Sequence, residues 1–358
     1  MRDPAATDAA RALILKCGWN STCYQILNEG IEHWWSADRL GLVGYVVAGR
    51  LAIVAGAPVC ELRKLDAAIT EWEDFARSKG LGVCYFGAEA RLQDHLARFE
   101  GYTQVVLGSQ PEWPPREFVS RIQGNASLRA QLNRSRNKGV RVSEWSRERA
   151  ENHPQLAAVL SEWLAYRGLP TLHFLVEPET LGDLRDRRIF VAERKGTVVG
   201  FVTLCPVPAR KGWLTEQFVR SRRAPNGTVE LMLFEAASAV AATGSEFLTM
   251  GIVPLVQTGV EEGPWEPGWL RFLRRWAQAH YIRFYNFRGL SEFKAKFLPP
   301  EWAPVLVIVK APEFRLGHLR AIARAFTRSS PELALFGGVA RALRMEIRRA
   351  LKWPDARA

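Results

Sequence analysis

The chain has 358 residues, which corresponds to about two domains at roughly 150 residues per domain. Apolar residues make up 47% and charged residues 24% of the sequence, proportions that exclude a disordered, collagen-like or low-complexity chain. Lys and Arg outnumber Asp and Glu by 49 to 37, a net charge of +12, and this excess suggests polyanionic partners such as nucleic acid, anionic lipid or phosphorylated substrates.

The cysteine pattern and the apolar segments exclude several further classes of protein. The five cysteines form no Cys-x-x-Cys pair and the histidines are not clustered, so we expect neither a metal site nor a disulfide framework, and a reducing cytosol is the natural compartment. The N-terminal apolar run Ala12–Leu15 is too short for a signal peptide. Arg50 and several glycines interrupt the stretch Leu42–Cys60, which predicts a hairpin rather than a membrane-spanning helix.

The first third of the chain has the pattern of an α/β unit. In chain order it predicts strands at Leu42–Val47 and Leu51–Val54, a helix at Asp66–Ser78, a strand at Val83–Phe86, a helix at Ala90–Phe99 and a strand at Gln104–Leu107. The segment Ser109–Pro115 contains three prolines and is predicted to be a domain boundary.

A similar order of strands and helices is predicted for the chain after this boundary. It comprises a helix at Leu128–Lys138 capped by Ser127, a strand at Val140–Val142, a helix around Gln155–Tyr166, a hairpin at Ile189–Glu193 and Val198–Leu204 turning at Lys195 and Gly196, a strand at Trp213–Val219, a helix at Thr228–Ala242, a strand at Phe247–Gly251, a helix at Gly268–His280, and strands at Arg283–Phe287 and Val305–Val309. The recurrence suggests a structural duplication. We therefore predict two domains, 1–115 and 116–310, followed by a tail at 311–358.

The tail carries ten basic and four acidic residues, so it supplies +6 of the net charge. Its apolar residues form two amphipathic helical stripes, from Leu316 to Phe326 and from Phe336 to Leu351. Basic amphipathic helices can lie on anionic membranes, and they can equally pack on the second domain with their arginines in water. Both interpretations stay open at this point.

Two segments have the residue types of an anion-binding site. Five basic residues and no acid lie between Arg129 and Arg141, and guanidinium groups on a helix suit phosphate contacts; a solvated helix face is the alternative. Further along, a strand is followed by an arginine-rich loop and a helix start, where free N–H groups could bind a phosphate or an oxyanion. Its candidate residues are Glu216, Arg220, Arg222, Arg223, Asn226, Gly227 and Glu230, although Asn-Gly can also be a simple turn and Glu230 a capping aid.

Two more segments could line a pocket. Thr249–Leu255 is a strand that runs into a Gly/Pro loop, and Tyr285–Phe297 places Lys294 and Lys296 beside phenylalanines. By contrast, Arg77–Gly82 matches the Arg-x-x-Gly-x-Gly loop with which GNAT acyltransferases hold acetyl-CoA, but here the loop closes a helix and precedes a strand. Gly80 is therefore better interpreted as the end of that helix, and no histidine or Gly-x-Ser-x-Gly motif indicates a hydrolase.

Taken together, these segments resemble the catalytic domain of bacterial phosphatidylglycerol lysyltransferases, the multiple peptide resistance factor family. Leu128–Gly139 is similar to the family's Leu-Arg-x-x-x-Asn-x-Ala-Arg-x-x-Gly helix, with Ser135 in the alanine position. Glu216–Gly227 resembles its segment ending in Ala-Pro-Asn-Gly, with Gln217 where an aspartate is common. Met250–Leu255 and Tyr285–Phe297 resemble two further motifs, with Arg288 replacing a lysine. The resemblance covers about residues 18–310, since Trp35–Asp38 and Gly56–Val59 are also similar.

The resemblance implies two tandem GNAT-like domains, each a mixed sheet flanked by helices, and no cofactor. It implies that the amino acid of an aminoacyl-tRNA is transferred to a hydroxyl of a lipid such as phosphatidylglycerol, at the cytoplasmic face of the membrane. Arg220, Asn226 and Gly227 would then contact a phosphate or oxyanion, and Glu216 or Glu230 would bind the amino group or act as base. The residues expected to bind tRNA or lipid are Arg134, Arg136, Lys138, Arg222, Arg223, Arg288, Lys294 and Lys296.

Two other functions remain open at this stage: an N-acyltransferase that uses another acyl donor, and a protein that only binds tRNA or anionic membranes.

Overall fold

A computed structural model describes residues 4–166, 172–254, 268 and 287–327. The described strands form one mixed sheet of twelve, and they are β1 (Glu32–Trp35), β2 (Leu42–Ala48), β3 (Leu51–Ala55), β4 (Gly82–Ala88), β5 (Thr103–Trp113), β6 (Val140–Trp145), β7 (Arg188–Arg194), β8 (Thr197–Val207), β9 (Gly212–Arg220), β10 (Phe247–Thr249), β11 (Val253–Pro254) and β12 (Glu301–Val309). The described α-helices are α1 (Pro4–Cys17), α2 (Leu65–Ser78), α3 (Ala90–Leu96), α4 (Pro115–Gly124), α5 (Ala126–Asn137), α6 (Arg147–Ala150), α7 (Pro154–Tyr166), α8 (Thr228–Ala242), α9 (Phe287–Ala295) and α10 (Leu316–Thr327).

The strands of the first half bury both of their faces, because successive side chains of a strand point to opposite sides of the sheet. Tyr45 and Val54 pack with Trp72 of α2 on one face. Leu42 and Ile53 pack on the other face in a cluster that also contains residues of α1 and α10. The first half is therefore a sheet covered by helices on both sides.

The second half repeats this arrangement. Phe190 and Val202 pack with residues of α4, α5 and α8 on one face, whereas Val191 and Phe201 pack with residues of α7 on the other. In each half an antiparallel run of strands ends in one parallel pair joined through a helix: β3 with β4 through α2, and β9 with β10 through α8. The predicted fold class, α/β with a mixed sheet flanked by helices, is confirmed.

The two halves share strands. The sheet order is β1-β2-β3-β4-β12-β5-β10-β9-β8-β7-β6, and β11 also pairs with β5. Thus β12, which lies in the predicted second domain, is inserted between β4 and β5 of the first. The far end of β5 in turn pairs with β10. The predicted division at residues 115 and 310 therefore stays a prediction, and strands cross it in both directions.

Most predicted elements are confirmed, and a few are wrong. The strand predicted at Gln104–Leu107 continues through Ser109 to Trp113, because Pro111 is accommodated in a strand flanked by β12 and β10, and only Pro114 and Pro115 end it. Helix α5 is capped by Asn125, whose side chain accepts a hydrogen bond from the N–H of Leu128, rather than by Ser127. Helix α1, which we did not predict, buries Ala10, Ile14 and Cys17.

Some predictions lie outside the described residues. They are most of the helix at 268–280, most of the strand at 283–287, whose last residue begins α9, and the second tail helix after residue 327. The first tail helix is confirmed as α10, which buries Ala321, Ile322 and Ala325. The rejected acetyl-CoA loop does close α2 and precede β4, with Gly80 at a φ of 68°.

Candidate functional site

The site begins where two parallel strands separate. β10 pairs with β9 only from Gly212 to Leu214, and then β10 ends at Thr249. β9 continues to Arg220 with β8 along its other edge. No strand among the described residues pairs with the remaining edge of β9 after Leu214. The separation leaves an opening in the sheet beside the last six residues of β9.

A cavity of about 790 Å³ occupies this opening. Six of the predicted site residues line it: Arg134, Glu216, Arg220, Asn226, Gly227 and Glu230. The other lining residues are Gln131, Trp163, Val176, Glu177, Pro178, Gln217, Phe218, Val229, Gly289, Leu290 and Phe293. The structure thus brings together side chains from the basic helix, from β9 and from the Asn-Gly helix start, which lie far apart in the sequence.

The start of α8 is held tightly against α5 at the edge of the cavity. Gly227 has a φ of 92°, and a Cβ atom added there would lie 2.1 Å from the carbonyl oxygen of Gln131. The hydroxyl of Thr228 donates to the carbonyl of Pro225 and lies 3.3 Å from the hydroxyl of the buried Ser135. Only glycine allows this backbone approach, which explains why a glycine directly precedes the first residue of α8.

The first turn of α8 leaves backbone donors at the cavity. Thr228 donates its N–H to Pro225, and Leu231 donates to Gly227. For the N–H groups of Val229 and Glu230, both on the cavity wall, the described part of the chain provides no backbone acceptor. N–H groups at a helix start carry a partial positive charge and bind anions or developing oxyanions.

Glu216 is held in a buried ion pair. Its Oε2 accepts from Nε of Arg187 at 2.7 Å, and its Oε1 accepts from Nη2 of Arg187 at 2.9 Å and from Nε2 of Gln25 at 3.1 Å. The side chains of Arg187 and Glu216 are only 7% and 6% exposed. Burial alone would lower the pKa of Arg187, but the charge and hydrogen bonds of Glu216 raise it above its usual value.

The other two carboxylates that line the cavity are also paired. Glu230 accepts from the ammonium of Lys296, which also lies 3.3 Å from Oε1 of Gln131. Glu177 lies 2.9 Å from Nδ1 of His173. In contrast, Arg134 and Arg220 are exposed at the cavity, and neither has an ion-pair partner among the described residues.

Gln217 contributes an unusual acceptor. Its Nε2 donates to the backbone carbonyls of Glu177 at 3.1 Å and Pro178 at 2.8 Å. These two bonds fix the orientation of the amide and leave Oε1 buried, without a hydrogen-bond partner in the described part of the chain. The residue is only 7% exposed and lines the cavity. A buried acceptor without a partner is costly unless a ligand or water donates to it.

Several predicted residues lie away from the cavity. Arg136 pairs with Glu235 at 2.8 Å and Lys138 is exposed at the end of α5. Arg222 lies over the ring of Tyr166, 4.5 Å from its centroid. Arg223 is exposed, and the side chain of Arg288 falls outside the described residues.

Lys294 is not brought to the cavity either. It is 2% exposed, and its ammonium donates to the carbonyls of Met250, Gly251 and Ile252 at 2.7, 2.7 and 3.1 Å. Burial lowers its pKa to about 7, while three carbonyl acceptors favour the protonated form with its three N–H groups. Lys294 therefore anchors the loop after β10 to α9, which places α9 at the cavity.

Sequence reasoning missed Arg187, Gln25 and Trp163, whereas Phe293 belongs to the segment Tyr285–Phe297 that was predicted to line a pocket. The only signal at Arg187 was the presence of three arginines among residues 185–188, at the start of β7. Gln25 had none, since its partner Glu216 lies 191 residues away.

Two kinds of feature are absent from the described residues. None of the described helices combines the length and apolarity needed to cross a bilayer. No group of three or more His, Cys, Asp or Glu side chains in that part of the chain could hold a metal ion.

Solved structures share this fold. The C-terminal domain of a putative lysylphosphatidylglycerol synthetase from Agrobacterium fabrum matches with a TM-score of 0.75 at 19% identity, over 90% of this chain and 97% of that one. The L-PGS of Bacillus licheniformis also matches with a TM-score of 0.75, at 21% identity, over 92% of this chain and 98% of the other. FemX matches with a TM-score of 0.55 at 9% identity, over 86% of this chain and 96% of that one.

Curated relatives are longer proteins. The lysylphosphatidylglycerol biosynthesis bifunctional protein LysX of Mycobacterium sp. strain JLS is 25% identical over 282 residues, which is 73% of this chain and 24% of LysX. An uncharacterized protein of Corynebacterium glutamicum is 24% identical over 289 residues, 75% of this chain and 35% of that protein. The chain thus spans about a quarter to a third of the length of these relatives.

The profile of the family described as "Phosphatidylglycerol lysyltransferase, C-terminal" matches residues 11–308. This match covers most of the chain, including all the residues that line the cavity and every described strand except the last residue of β12. The chain belongs to the phosphatidylglycerol lysyltransferase C-terminal family.

Proposed function

We propose that this chain is an aminoacyltransferase that moves an amino acid from aminoacyl-tRNA to a hydroxyl of a membrane lipid such as phosphatidylglycerol. The observation that carries the proposal is the cavity beside β9, where Arg134 and Arg220 lie exposed next to the N-terminus of α8. Both substrates carry phosphate groups, and guanidinium groups beside a helix start suit phosphate contacts. Membership in the family supports lipid aminoacylation in general.

The reaction is a transesterification. The lipid hydroxyl attacks the ester carbonyl of the aminoacyl group, a new lipid ester forms, and the bond to the terminal ribose oxygen of the tRNA breaks. The hydroxyl proton leaves and a proton is returned to the ribose oxygen, so no cofactor is needed. The ester is already activated, so positioning and stabilisation of the oxyanion can supply most of the catalysis.

The residues of the cavity divide these tasks. Arg220, Asn226 and the first-turn N–H groups of α8 stabilise the oxyanion. The pair of Glu230 and Lys296 is suited to proton transfer, since the carboxylate can accept the proton of the lipid hydroxyl and the ammonium can return one to the ribose. Glu216, fixed by Arg187, orients this part of β9.

The tRNA contacts extend along α5. Its basic residues continue from Arg134 at the cavity to the exposed Lys138 at the helix end. Cations spaced along a helix in this way can contact successive phosphates of a nucleic-acid backbone.

A second basic groove supports contact with an anionic membrane. It has a volume of about 470 Å³ and lies between the β2–β3 turn and the start of α10, with Arg50, Arg315, Arg320 and Arg324 in its lining. Leu316, the first residue of α10, is exposed next to Arg315, and an aliphatic side chain next to arginines is typical of a surface that docks on a bilayer. We propose that this surface holds the enzyme at the inner face of the membrane.

The experiment is a transfer assay with purified protein, tRNA acylated with a labelled amino acid, and phosphatidylglycerol vesicles. We expect label in the lipid fraction, and mild alkali should release it, because an ester is alkali-labile. Label that resists alkali would indicate an amide and hence an N-acyltransferase. Binding of tRNA and vesicles without any transfer would indicate a binding protein and overturn the proposal.

A further inference from the structure

One short segment, residues 173–178, connects helix α10 with the wall of the cavity. At its start, the N–H of His173 donates to the carbonyl of Phe326, in the last turn of α10, at 2.9 Å. The last three residues of the segment line the cavity, and they are Val176, Glu177 and Pro178. Part of the cavity wall is therefore attached to the end of α10.

The packing of Phe174 holds this segment in a strained backbone conformation. Phe174 has a φ of 64°, in the left-handed region that bulky residues rarely adopt. Its ring packs edge-on against the ring of Phe326 at a centroid distance of 5.3 Å, and Phe326 in turn packs edge-on against Phe86 at 5.1 Å. The carbonyl of Phe174 accepts from Nδ2 of Asn28 at 2.7 Å. Strained backbone persists only while its surroundings hold it, so loss of the contacts with Phe326 would let the segment relax.

Another side of α10 forms part of the basic groove. Arg320 and Arg324 are exposed, one turn apart, and they line the groove together with Arg50 of the β2–β3 turn. The buried side of the helix places Ile322 in the same apolar cluster as Phe174. Because Arg50 belongs to the sheet and not to the helix, the complete groove exists only while α10 is docked on β2 and β3. A surface that binds the complete groove therefore stabilises the docked position of α10.

We propose that binding of an anionic membrane at the basic groove promotes transfer in the cavity, with α10 and residues 173–178 as the connection. The inference rests on the proposed transferase function and adds a regulation of it. Docking on lipid fixes α10, α10 holds Phe174, and the residues that follow complete the cavity wall. Their carbonyls also reach the catalytic strand, since Nε2 of Gln217 donates to those of Glu177 and Pro178 at 3.1 and 2.8 Å. The enzyme is therefore most active at an anionic surface.

The test separates the anionic surface from the lipid acceptor. The acceptor is dihexanoylphosphatidylglycerol below its critical micelle concentration, and the added vesicles contain either phosphatidylcholine with phosphatidic acid or phosphatidylcholine alone. Neither vesicle lipid has an alcohol group in its headgroup, so neither replaces the acceptor. We expect the anionic vesicles to raise kcat/KM for the soluble acceptor at least about fivefold over the neutral ones.

Two results would overturn the inference and leave the transferase function intact. One is an equal rate with both kinds of vesicle, at concentrations where the protein sediments with the anionic ones. The other is a protein that transfers to the soluble acceptor but does not sediment with the anionic vesicles. Transfer under none of these conditions would remove the proposed function and the inference together.

The role of α10 is tested with Phe326→Ala, and Phe99, which is half-exposed after α3 in the first half of the chain, provides the matched control. Phe326→Ala should still sediment with the anionic vesicles, because the arginines of the groove remain, but it should lose most of the stimulation. Phe99→Ala should keep both the sedimentation and the stimulation. Full stimulation of a folded Phe326→Ala protein would refute the connection through α10.

Hydrogen exchange of the wild type tests the same connection even if Phe326→Ala does not fold. The N–H groups of His173 and Val176 donate to the carbonyls of Phe326 and His173. Anionic vesicles should slow the exchange of both groups, and neutral vesicles should leave it unchanged, because local opening becomes rarer when α10 is held in place. Unchanged exchange in protein that is bound to anionic vesicles would contradict the inference.

Discussion

The buried pair of Arg187 and Glu216 permits a quantitative test of how the wall of the cavity is held. Replacing Arg187 by methionine removes two hydrogen bonds from a carboxylate that is only 6% exposed and leaves it with Gln25 alone. Breaking a buried ion pair by removing one partner costs about 3–5 kcal/mol. We expect Arg187→Met to lower the free energy of unfolding by that amount.

The double variant distinguishes the interaction between the two side chains from the effect of each side chain alone. Replacing Glu216 by methionine as well removes the unpaired charge, and exchanging both ions for apolar side chains of similar size is often nearly neutral. The double variant Arg187→Met/Glu216→Met should therefore lose much less unfolding free energy than the two single variants lose together. The expected coupling energy is about 2–4 kcal/mol.

The measurement is urea unfolding followed by tryptophan fluorescence, for the wild type, both single variants and the double variant. A repeat at 1 M salt should give the same coupling, since a buried pair is screened little. If the loss of unfolding free energy in the double variant equals the sum of the two single losses to within about 0.5 kcal/mol, the two side chains act independently. That result would refute the view that Arg187 neutralises Glu216 in the wall of the cavity.

Three further predictions concern separate features. Gly227→Ala should abolish transfer and lower the melting temperature, because its Cβ would collide with the backbone of α5; normal activity would contradict this. Burial raises the pKa of the Glu89 carboxyl from 4.5 to about 7. The stabilisation that its protonated form gives is therefore fully present below pH 4.5 and is lost as the pH rises to 7, a change of about 3 kcal/mol in the free energy of unfolding. Urea unfolding of Glu89→Gln should not show this pH dependence between pH 4.5 and 7. Alanine at Arg134, Arg136 and Lys138 should reduce the salt slope of tRNA binding by about three counterions, whereas an unchanged slope would indicate a solvated face.

Local signals predicted much of the fold. The helix at Thr228–Ala242 begins and ends where predicted, because an Asn-Gly start and an apolar run are local features. The hairpin at Lys195 and Gly196 is also confirmed, and both residues have the positive φ that such a turn requires. The insertion of β12 between β4 and β5 was not predictable, since nothing local to Glu301–Val309 specifies a partner two hundred residues away.

The same distinction applies to the site. The residue types at Arg220, Asn226 and Gly227 indicated an anion site, and the structure gathers them around one cavity. The burial of Lys294 was not predictable, because its three carbonyl acceptors belong to a loop more than forty residues earlier. Likewise, the sequence shows that Glu216 is acidic but not that Arg187 already neutralises it.

Whether the cavity beside β9 transfers an aminoacyl group to a lipid is decided by the rate at which a cavity variant transfers the group to phosphatidylglycerol. We predict that Arg134→Ala/Arg220→Ala retains the wild-type melting temperature and loses activity about a hundredfold, since two charge-assisted contacts are removed. The exposed Arg98, which lies after α3 in the first half of the chain, provides the matched control, and Arg98→Ala should keep its activity. Undiminished transfer by the folded double variant would contradict the assignment of this cavity as the active site.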